Sequence, residues 1–275
     1  MGKEPVLIFM HLPKTAGHTL LSILTKQYGT QVVLPLYDST FGEEIKEIPH
    51  AQIDEAAVIL GHFYFGIHTI LARPSIYITM LREPVERVIS HYYYVQRDPS
   101  HYLHTAATEM SLSEYVIHCN LCEPNNDQTR LLAGRELATS MGTWSPEMLP
   151  IAKQNLRRHF AVAGIVEEFD RSLILLKRVL RWRIPYYVRK NVTQGRSSKR
   201  DISPETVSVI QAYNELDCEL YRYTKELLQE QICLQGEQFE KEVRRFLRIN
   251  RLFGRLNSLM PLPTVMGEVG NTVNW

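Results

Sequence analysis

Four short runs of apolar residues, each followed by a segment with helical features, constrain the fold of this chain most strongly. The run from Val6 to Met10 contains no polar side chain, which is typical of a strand buried on both faces of a sheet. Similar runs occupy 57–60, 76–81 and 161–166. Strands that alternate with helices form a parallel sheet covered by helices. The sequence therefore predicts the α/β class, with a central parallel sheet flanked by helices.

The segments that follow these runs carry helix signals. After the first run, apolar side chains recur at helical spacing, at Leu20, Leu21, Leu24 and Tyr28. Gly29 then stands where a helix would end, and Pro84 stands where another would begin. Further helices are predicted over about 171–182 and, from a cap at Ser203, to about 228.

The chain is predicted to form one domain with an appendage. Its 275 residues, 44% of them hydrophobic, allow residues 1–232 to form a single α/β core. Residues 233–275 differ in character, because an apolar stripe at helical spacing between Phe239 and Phe253 is followed by a tail containing Pro and Gly. We expect this extension to pack on the core or to mediate a homodimer. The alternative is that its arginines contact an acidic membrane surface.

Charge and cysteine content exclude several classes of protein. Lys and Arg number 31 against 30 Asp and Glu, and a net charge of +1 excludes a globally basic nucleic-acid-binding protein. The four cysteines are too few for a disulfide scaffold, and no second pair completes a metal site with Cys119 and Cys122. No apolar run reaches the roughly 18 residues that cross a bilayer, and no signal peptide is recognisable. We therefore expect a cytoplasmic protein without a transmembrane segment.

One segment departs from this charge balance. Between Arg171 and Arg200 there is no acidic residue, but there are ten basic ones: Arg171, Lys177, Arg178, Arg181, Arg183, Arg189, Lys190, Arg196, Lys199 and Arg200. Part of such a run is normally the solvated face of a helix. The missing carboxylates nevertheless predict a surface that faces an anion.

The first motif with chemical content lies between the first strand and its helix, from His11 to Thr19. At such a position backbone N–H groups point at a ligand, and the helix dipole favours negative charge. Gly17 allows close approach of the backbone, and Lys14 supplies a mobile positive charge. The loop resembles a phosphate-binding loop but lacks the Walker A pattern, and no acidic residue ends the next strands to hold magnesium. The alternative is an ordinary turn with a surface lysine.

The second motif runs from Leu81 to Tyr94. Arg82 ends a buried strand, so its guanidinium is predicted to project over the carboxyl edge of the sheet, where open α/β folds bind ligands. Its planar fork of N–H groups matches a phosphate. Ser90, two turns into the next helix, is placed to face the same anion. Alternatively, Arg82 forms a structural ion pair with Glu83 or Glu86.

Together these motifs resemble the two nucleotide-binding motifs of sulfotransferases, P-K-T-A-G near the start and L-R-E-P-V-E-R-V-I-S-H-Y-Y-Y some sixty residues later. The chain is similar to the heparan sulfate 2-O- and 6-O-sulfotransferases and their bacterial counterparts. The resemblance implies a P-loop-like sulfotransferase fold. It also implies the co-substrate 3'-phosphoadenosine 5'-phosphosulfate (PAPS), whose sulfuryl group is moved to a hydroxyl, with no metal.

The resemblance further implies roles for individual residues. The 5'-phosphosulfate would be wrapped by Pro13, Lys14, Thr15, Ala16, Gly17, His18 and Thr19. Lys14 would also neutralise the departing phosphate. The 3'-phosphate would be held by Arg82 and Ser90, and a late loop containing Asn191, Thr193 and Arg196 would close over the nucleotide. On the acceptor side the expected residues are Gln128, Arg130 and, from the group of three tyrosines, Tyr92. The alternative for the segment around Arg130 is a cluster that satisfies backbone groups at a helix start.

The acceptor hydroxyl also needs a base, and histidine has a suitable pKa for that task. His62 follows the strand at 57–60 and should lie at the carboxyl edge of the sheet, where relatives carry a catalytic histidine. His11 and His18 remain competing candidates, and a purely structural histidine is the alternative.

The sequence thus predicts a PAPS-dependent sulfotransferase that acts on a hydroxyl of a carbohydrate or glycoconjugate. Two alternatives stay open at this point. One is a nucleotide-dependent phosphotransferase, and the other is a non-catalytic module that binds glycans or anions.

Overall fold

Five parallel strands form a single sheet at the centre of the computed structural model, which describes residues 4–37, 45, 48–119, 123–135, 145–188 and 198–259. The strands are β1 (Val6–Met10), β2 (Val33–Leu36), β3 (Val58–Gly61), β4 (Ser75–Leu81) and β5 (Phe160–Ile165). Their order across the sheet is β2-β3-β1-β4-β5. The predicted α/β class with a central parallel sheet is confirmed.

Eleven α-helices are found within the described residues, and several start or end as their sequences predict. They are α1 (Gly17–Tyr28), α2 (His50–Glu55), α3 (Pro84–Val95), α4 (His104–Glu109), α5 (Leu112–His118), α6 (Asp127–Ala133), α7 (Met148–His159), α8 (Phe169–Val179), α9 (Pro204–Ala212), α10 (Glu215–Cys233) and α11 (Gln238–Leu259). Gly29 follows the last residue of α1, as expected. Pro84 begins α3, and the Glu83 side chain caps it by accepting a hydrogen bond from the Glu86 N–H.

The position of β1 in the middle of the sheet determines where the site lies. All five of its residues are buried, and it pairs in parallel with β3 on one side and β4 on the other. Met10, the last residue of β1, is level with Gly61 and with Thr79. Because parallel strands end at the same edge, the segments that follow β1, β3 and β4 lie next to one another.

A second, smaller core lies beside the main one and is built from helices. One face of α3 packs there with residues of α4, α5 and α9, including Val88, Tyr92, Tyr115 and Ile210. The main core includes apolar residues of α11.

The predicted helix from Ser203 to about 228 is interrupted, and this expectation is corrected. α9 ends at Ala212 and α10 begins at Glu215. Between them the Asn214 amide donates to the carbonyls of Pro124 and Ile210, and its oxygen accepts from the Asn126 N–H. Asparagine side chains compete with the helical backbone for hydrogen bonds, which explains the break.

The sequence predicts that the basic segment beginning at Arg171 faces an anion, but several of its side chains form ion pairs within the protein instead. Arg171 pairs with Glu168 and Glu240, at 2.5 and 2.8 Å. Glu242 accepts from Lys177 at 2.7 Å and from Arg178 at 2.8 Å. Lys199 pairs with Glu83 at 2.7 Å. For these four basic residues the prediction is wrong, because carboxylates from outside the segment neutralise them.

The extension follows the expected helical pattern. α11 buries Phe239, Val243 and Phe246 in the same apolar cluster as the sheet. This is the core-packing alternative for the segment. The division of the chain at residue 232 and the predicted homodimer remain predictions. In the part of the chain that the structure describes, no helix combines the length and the apolar character needed to span a bilayer.

Candidate active site

The loop between β1 and α1 has an unusual backbone. Lys14 and Ala16 have positive φ angles of 68° and 66°, a left-handed conformation that side chains other than glycine disfavour. The Thr15 hydroxyl donates to the Leu12 carbonyl at 2.7 Å and fixes the turn. Strain of this kind is concentrated at functional sites, and left-handed turns before a helix aim backbone N–H groups into an anion-binding concavity. This geometry supports the predicted phosphate loop.

Glycine at position 17 is required by the His11 side chain. A Cβ atom at Gly17 would lie 1.7 Å from His11 Nε2, so the imidazole occupies the space that any other side chain would fill. His11 is held in turn by a 3.0 Å hydrogen bond between its Nδ1 and the Tyr37 hydroxyl. The loop is therefore packed against a fixed histidine at the end of β1.

The Arg82 side chain connects the second motif to the loop between β1 and α1. Its Nη1 donates to the Lys14 carbonyl at 3.2 Å, and its Nη2 lies 3.4 Å from a Glu86 carboxylate oxygen. The structural ion pair that the sequence left open is thus present, alongside the contact with the loop. Ser90 is half-buried one helical turn beyond Glu86, and residues four apart share a helix face. Both motifs thus contribute to one site.

Gln128 holds Arg82 in place. The Gln128 Oε1 accepts from the Arg82 N–H at 2.9 Å, and its Nε2 donates to the Arg82 carbonyl at 3.0 Å. The Gln128 backbone N–H in turn donates to Asp217 at 3.2 Å. The side chain is 1% exposed. In this structure the amide of Gln128 positions Arg82, while the predicted acceptor contact of Gln128 stays a prediction.

Asp217 also belongs to a buried cluster of two arginines and two aspartates. Arg87, which is fully buried, lies 3.4 Å from Asp127 and 3.9 Å from Asp217. Arg130, 5% exposed, pairs with Asp127 at 2.6 Å. The Thr129 N–H and hydroxyl both donate to Asp217 at 2.7 Å. Burial raises the pKa of Asp217, although Arg87 and Thr129 oppose that shift.

This cluster corresponds to the sequence alternative in which the segment around Arg130 satisfies backbone groups at a helix start. The Asp217 carboxylate accepts hydrogen bonds from backbone N–H groups in the first turn of α6, which have no partner within the helix. Contact of Arg130 with an anionic sugar stays a prediction. Asp217 itself was not predicted, since its role depends on α10 packing against α6.

His11, a competing candidate for the base, and Tyr37, which was not predicted, both lie beside His62. The His62 and His11 rings are 4.7 Å apart between centroids, and the Tyr37 ring is 4.8 Å from His62. Burial lowers the pKa of His62 to about 4, while Asp127 and Glu123 act in the opposite direction. Its Nε2 is buried and has no hydrogen-bond partner among the described residues. At neutral pH His62 is therefore an uncharged imidazole with an unpartnered ring nitrogen.

The two competing histidines differ from His62. Burial lowers the pKa of His11 well below the usual range, and His62 and His18 lower it further. The Nδ1 of His11 is already paired with Tyr37. His18 is half-buried in the first turn of α1, and Thr19 beside it is buried. The structure brings all three histidines to one place and gives His62 the unpartnered buried nitrogen.

Two tyrosines of α3 lie in different surroundings. Tyr92 is 8% exposed in the helical core, and its hydroxyl donates to the Met110 carbonyl at 2.7 Å. Tyr94 lies under the Lys14 ammonium, 3.9 Å from ring centroid to Nζ, and its hydroxyl donates to Asp98. Tyr94 is therefore the aromatic residue beside the loop. An acceptor contact of Tyr92 stays a prediction.

Two histidines and a glutamate, His91, His101 and Glu123, lie together beside this region. Glu123 Oε2 lies 3.3 Å from His91 Nε2 and 4.0 Å from His101 Nε2, and it accepts from the Tyr102 hydroxyl at 2.9 Å. Burial alone would raise the pKa of Glu123, but the hydrogen bond and charge of His91 lower it to about 2. The sequence spacing of these residues gives no metal-binding pattern, and sequence reasoning missed them.

The ligand atoms of this trio lie within 4.8 Å of one another, close enough to hold a metal ion. However, His101 Nδ1 accepts a 3.2 Å hydrogen bond from the Leu103 N–H. A neutral His101 then carries its proton on Nε2, directed at Glu123. Hydrogen bonding thus accounts for the arrangement.

The predicted loop residues Asn191, Thr193 and Arg196, like Cys122, lie outside the described residues.

Comparison with known proteins shows that this chain is similar to sulfotransferases. A family model described as galactose-3-O-sulfotransferase matches residues 3–258. Heparan-sulfate 6-O-sulfotransferase 2 of Danio rerio is 30% identical over 218 residues, covering 68% of this chain and 46% of the fish protein. Galactose-3-O-sulfotransferase 2 of Mus musculus is 22% identical over 246 residues, covering 79% and 60%. The chain thus spans about half the length of the curated relatives it matches.

Among solved structures, a mouse sulfotransferase complexed with PAP is similar at 17% identity and a TM-score of 0.32. The match covers 83% of this chain and 88% of that one. A TM-score of this size supports no inference about fold or ligand.

Proposed function

The chain belongs to the galactose-3-O-sulfotransferase family, and from this premise we propose that it moves the sulfuryl group of PAPS to a hydroxyl of a carbohydrate or glycoconjugate. The observation that carries the proposal is the 3.2 Å hydrogen bond from Arg82 to the Lys14 carbonyl. It joins two basic, anion-binding elements at the ends of neighbouring strands. A nucleotide with phosphates at both its 3' and 5' positions needs two such elements.

The residues present have the donor chemistry that this co-substrate requires. The left-handed turn and the start of α1 offer backbone N–H groups, and Lys14 adds a positive charge for the 5'-phosphosulfate. Arg82, with Ser90 on the same face as Glu86, would hold the 3'-phosphate. Asn191, Thr193 and Arg196 are proposed to close over the nucleotide. The Glu86 carboxylate would have to release one Arg82 nitrogen when a phosphate binds.

The bound co-substrate would supply an activated sulfuryl group. The acceptor oxygen would bond to sulfur while the bond between sulfur and the bridging phosphate oxygen breaks. The electron pair of the broken bond would stay on the departing phosphate. Lys14 would stabilise the charge that develops there. His62 would accept the acceptor proton at Nε2, the nitrogen without a partner among the described residues. Positioning and charge stabilisation account for most of the catalysis in transfers of this kind.

The surroundings of His62 suit a base that must begin uncharged. Burial lowers its pKa to about 4, so at neutral pH the imidazole is almost entirely deprotonated and needs no prior proton loss. The aromatic contacts with His11 and Tyr37 fix the ring plane. A base with a low pKa gives less driving force for proton transfer, so its fixed position matters more than its basicity.

Transfer of radiolabelled sulfate from PAPS to a panel of hydroxylated glycans tests the proposal. We expect the parent to label at least one glycan without added metal, and Lys14→Ala and His62→Ala to retain nucleotide binding while losing transfer. Binding with no transfer by the parent to any glycan would favour a non-catalytic module. Labelling from [γ-³²P]ATP that depends on magnesium would favour a phosphotransferase instead.

A further inference from the structure

The outward face of α11 carries basic and apolar side chains only. From Lys241 to Leu256 its exposed residues are Lys241, Arg244, Arg245, Arg248, Arg251, Leu252, Arg255 and Leu256. At 3.6 residues per turn and a rise of 1.5 Å per residue, these eight positions fall within an arc of about 140°, and they extend over roughly 22 Å of helix. We call this set the outer face of α11.

The acidic residues of α11 are turned away from this face. Glu240 pairs with Arg171, and Glu242 pairs with Lys177 and Arg178 of the helix beneath. Among the residues that the structure describes, no hydrogen bond or ion pair involves the side chains of Lys241, Arg244, Arg245, Arg248 or Arg251. Carboxylates neutralise the cations under the helix and leave at least five positive charges facing outward.

The outer face of α11 ends near the last turn of α1. Near its start, Glu240 contacts Arg171, which follows β5 at the carboxyl edge of the sheet. Near its end, Phe253 lies 5.8 Å from the ammonium of Lys26, in the last turn of α1. Since α1 begins at the carboxyl edge and runs away from it, the arginines and leucines near Phe253 lie towards the opposite edge.

We propose that the outer face of α11 docks the protein on an anionic membrane surface, through contacts to lipid phosphate and carboxylate groups. Arginine binds such groups through paired hydrogen bonds. Leu252 and Leu256 are 53% and 65% exposed within the same arc as the arginines. Apolar side chains among cations match the boundary between headgroups and acyl chains, whereas a soluble polyanion would gain little from them. This docking is independent of the proposed reaction.

Flotation of the full chain with lipid vesicles tests this inference. We expect binding to vesicles of phosphatidylcholine mixed with phosphatidylserine, little binding to pure phosphatidylcholine, and a decrease as salt rises. The triple variant Arg244→Glu/Arg248→Glu/Arg251→Glu should lower the partition coefficient on the order of a hundredfold, from about fivefold for each basic residue near an anionic surface. Leu252→Ser/Leu256→Ser should lower it several-fold with the charge unchanged.

A matched triple reversal at exposed residues elsewhere, Arg158→Glu/Arg222→Glu/Lys225→Glu, changes the net charge equally and should stay within a few-fold of the parent. Thermal melting of each variant confirms folding, and if the first reversal does not fold, Arg248→Gln/Arg251→Gln replaces it, with an expected loss of tenfold or more. Equal losses in both reversals would overturn the proposal. So would absence of vesicle binding by the parent, or binding to soluble heparin that the leucine changes leave intact while vesicles are ignored.

Discussion

Arg82 is the residue on which discrimination between nucleotides is expected to depend. We predict that Arg82→Ala weakens binding of adenosine 3',5'-bisphosphate by about ten- to hundredfold, the value of a charge-assisted hydrogen bond. Binding of adenosine 5'-phosphate, which has no 3'-phosphate to contact, should change little. Calorimetry with both nucleotides measures the difference, and the exposed Arg222, as Arg222→Ala, serves as a control for charge alone. Equal losses for the two nucleotides would show that Arg82 does not hold the 3'-phosphate.

His62 gives a prediction about pH. An ordinary histidine base would make the rate fall below about pH 6.5. Burial lowers the pKa of His62 to about 4, so the base stays deprotonated as the pH falls through 6.5 and loses its lone pair only as the pH approaches 4. We therefore expect transfer to stay level down to about pH 5 and then to fall. The measurement is the initial rate across this range, with circular dichroism confirming the fold at each pH. A midpoint near 6.5 would contradict the assignment.

At the scale of elements, the loop between β1 and α1 depends on Gly17. In Gly17→Ala the new Cβ would overlap the His11 ring, so the ring or the loop must move. We expect a loss of about 1–3 kcal/mol in the free energy of unfolding, typical of overpacking, together with weaker nucleotide binding.

Gly254→Ala is the control for this change, because a Cβ there meets no atom within 4 Å and the residue is helical. It should be neutral or stabilise by up to about 1 kcal/mol. Urea denaturation compares the two variants. A Gly17→Ala variant as stable as the parent would mean that His11 does not occupy the space seen here.

The elements that could be predicted from sequence are those whose signals are local. β1 has the bounds that its apolar run predicts, and the predicted end of α1 and the predicted start of α3 agree with the structure. The prediction missed β2, an edge strand of four residues that includes Pro35. It also missed the break at Asn214, because that residue bonds to segments about ninety positions earlier in the chain.

The same distinction holds within the site. Lys14 and Arg82 could be placed together because each follows a strand, and neighbouring parallel strands end at one edge. The hydrogen bonds of Gln128 to Arg82 and the burial of Tyr92 depend on how α6 and the helical core pack. A single sequence does not show such packing.

At the scale of the whole molecule, α11 is expected to unfold together with the sheet. Phe239 is 1% exposed and belongs to the same apolar cluster as β1. We predict that Phe239→Ala costs about 3–5 kcal/mol and shifts a single melting transition downward by on the order of 10 °C. Leu234→Ala, at a site 84% exposed, should change stability by less than about 0.5 kcal/mol. Two separate transitions would show that the predicted division at residue 232 is a true domain boundary.

The hydrogen bonds that Gln128 makes to both backbone groups of Arg82 have a consequence for how proteins with this architecture can diversify. The Gln128 carboxamide makes the two hydrogen bonds to Arg82 that a neighbouring strand would otherwise make, one residue beyond the end of β4. The position of the Arg82 backbone then depends on how α6 packs. Proteins with this architecture can therefore vary the packing of α6 only where the position of Arg82 is kept.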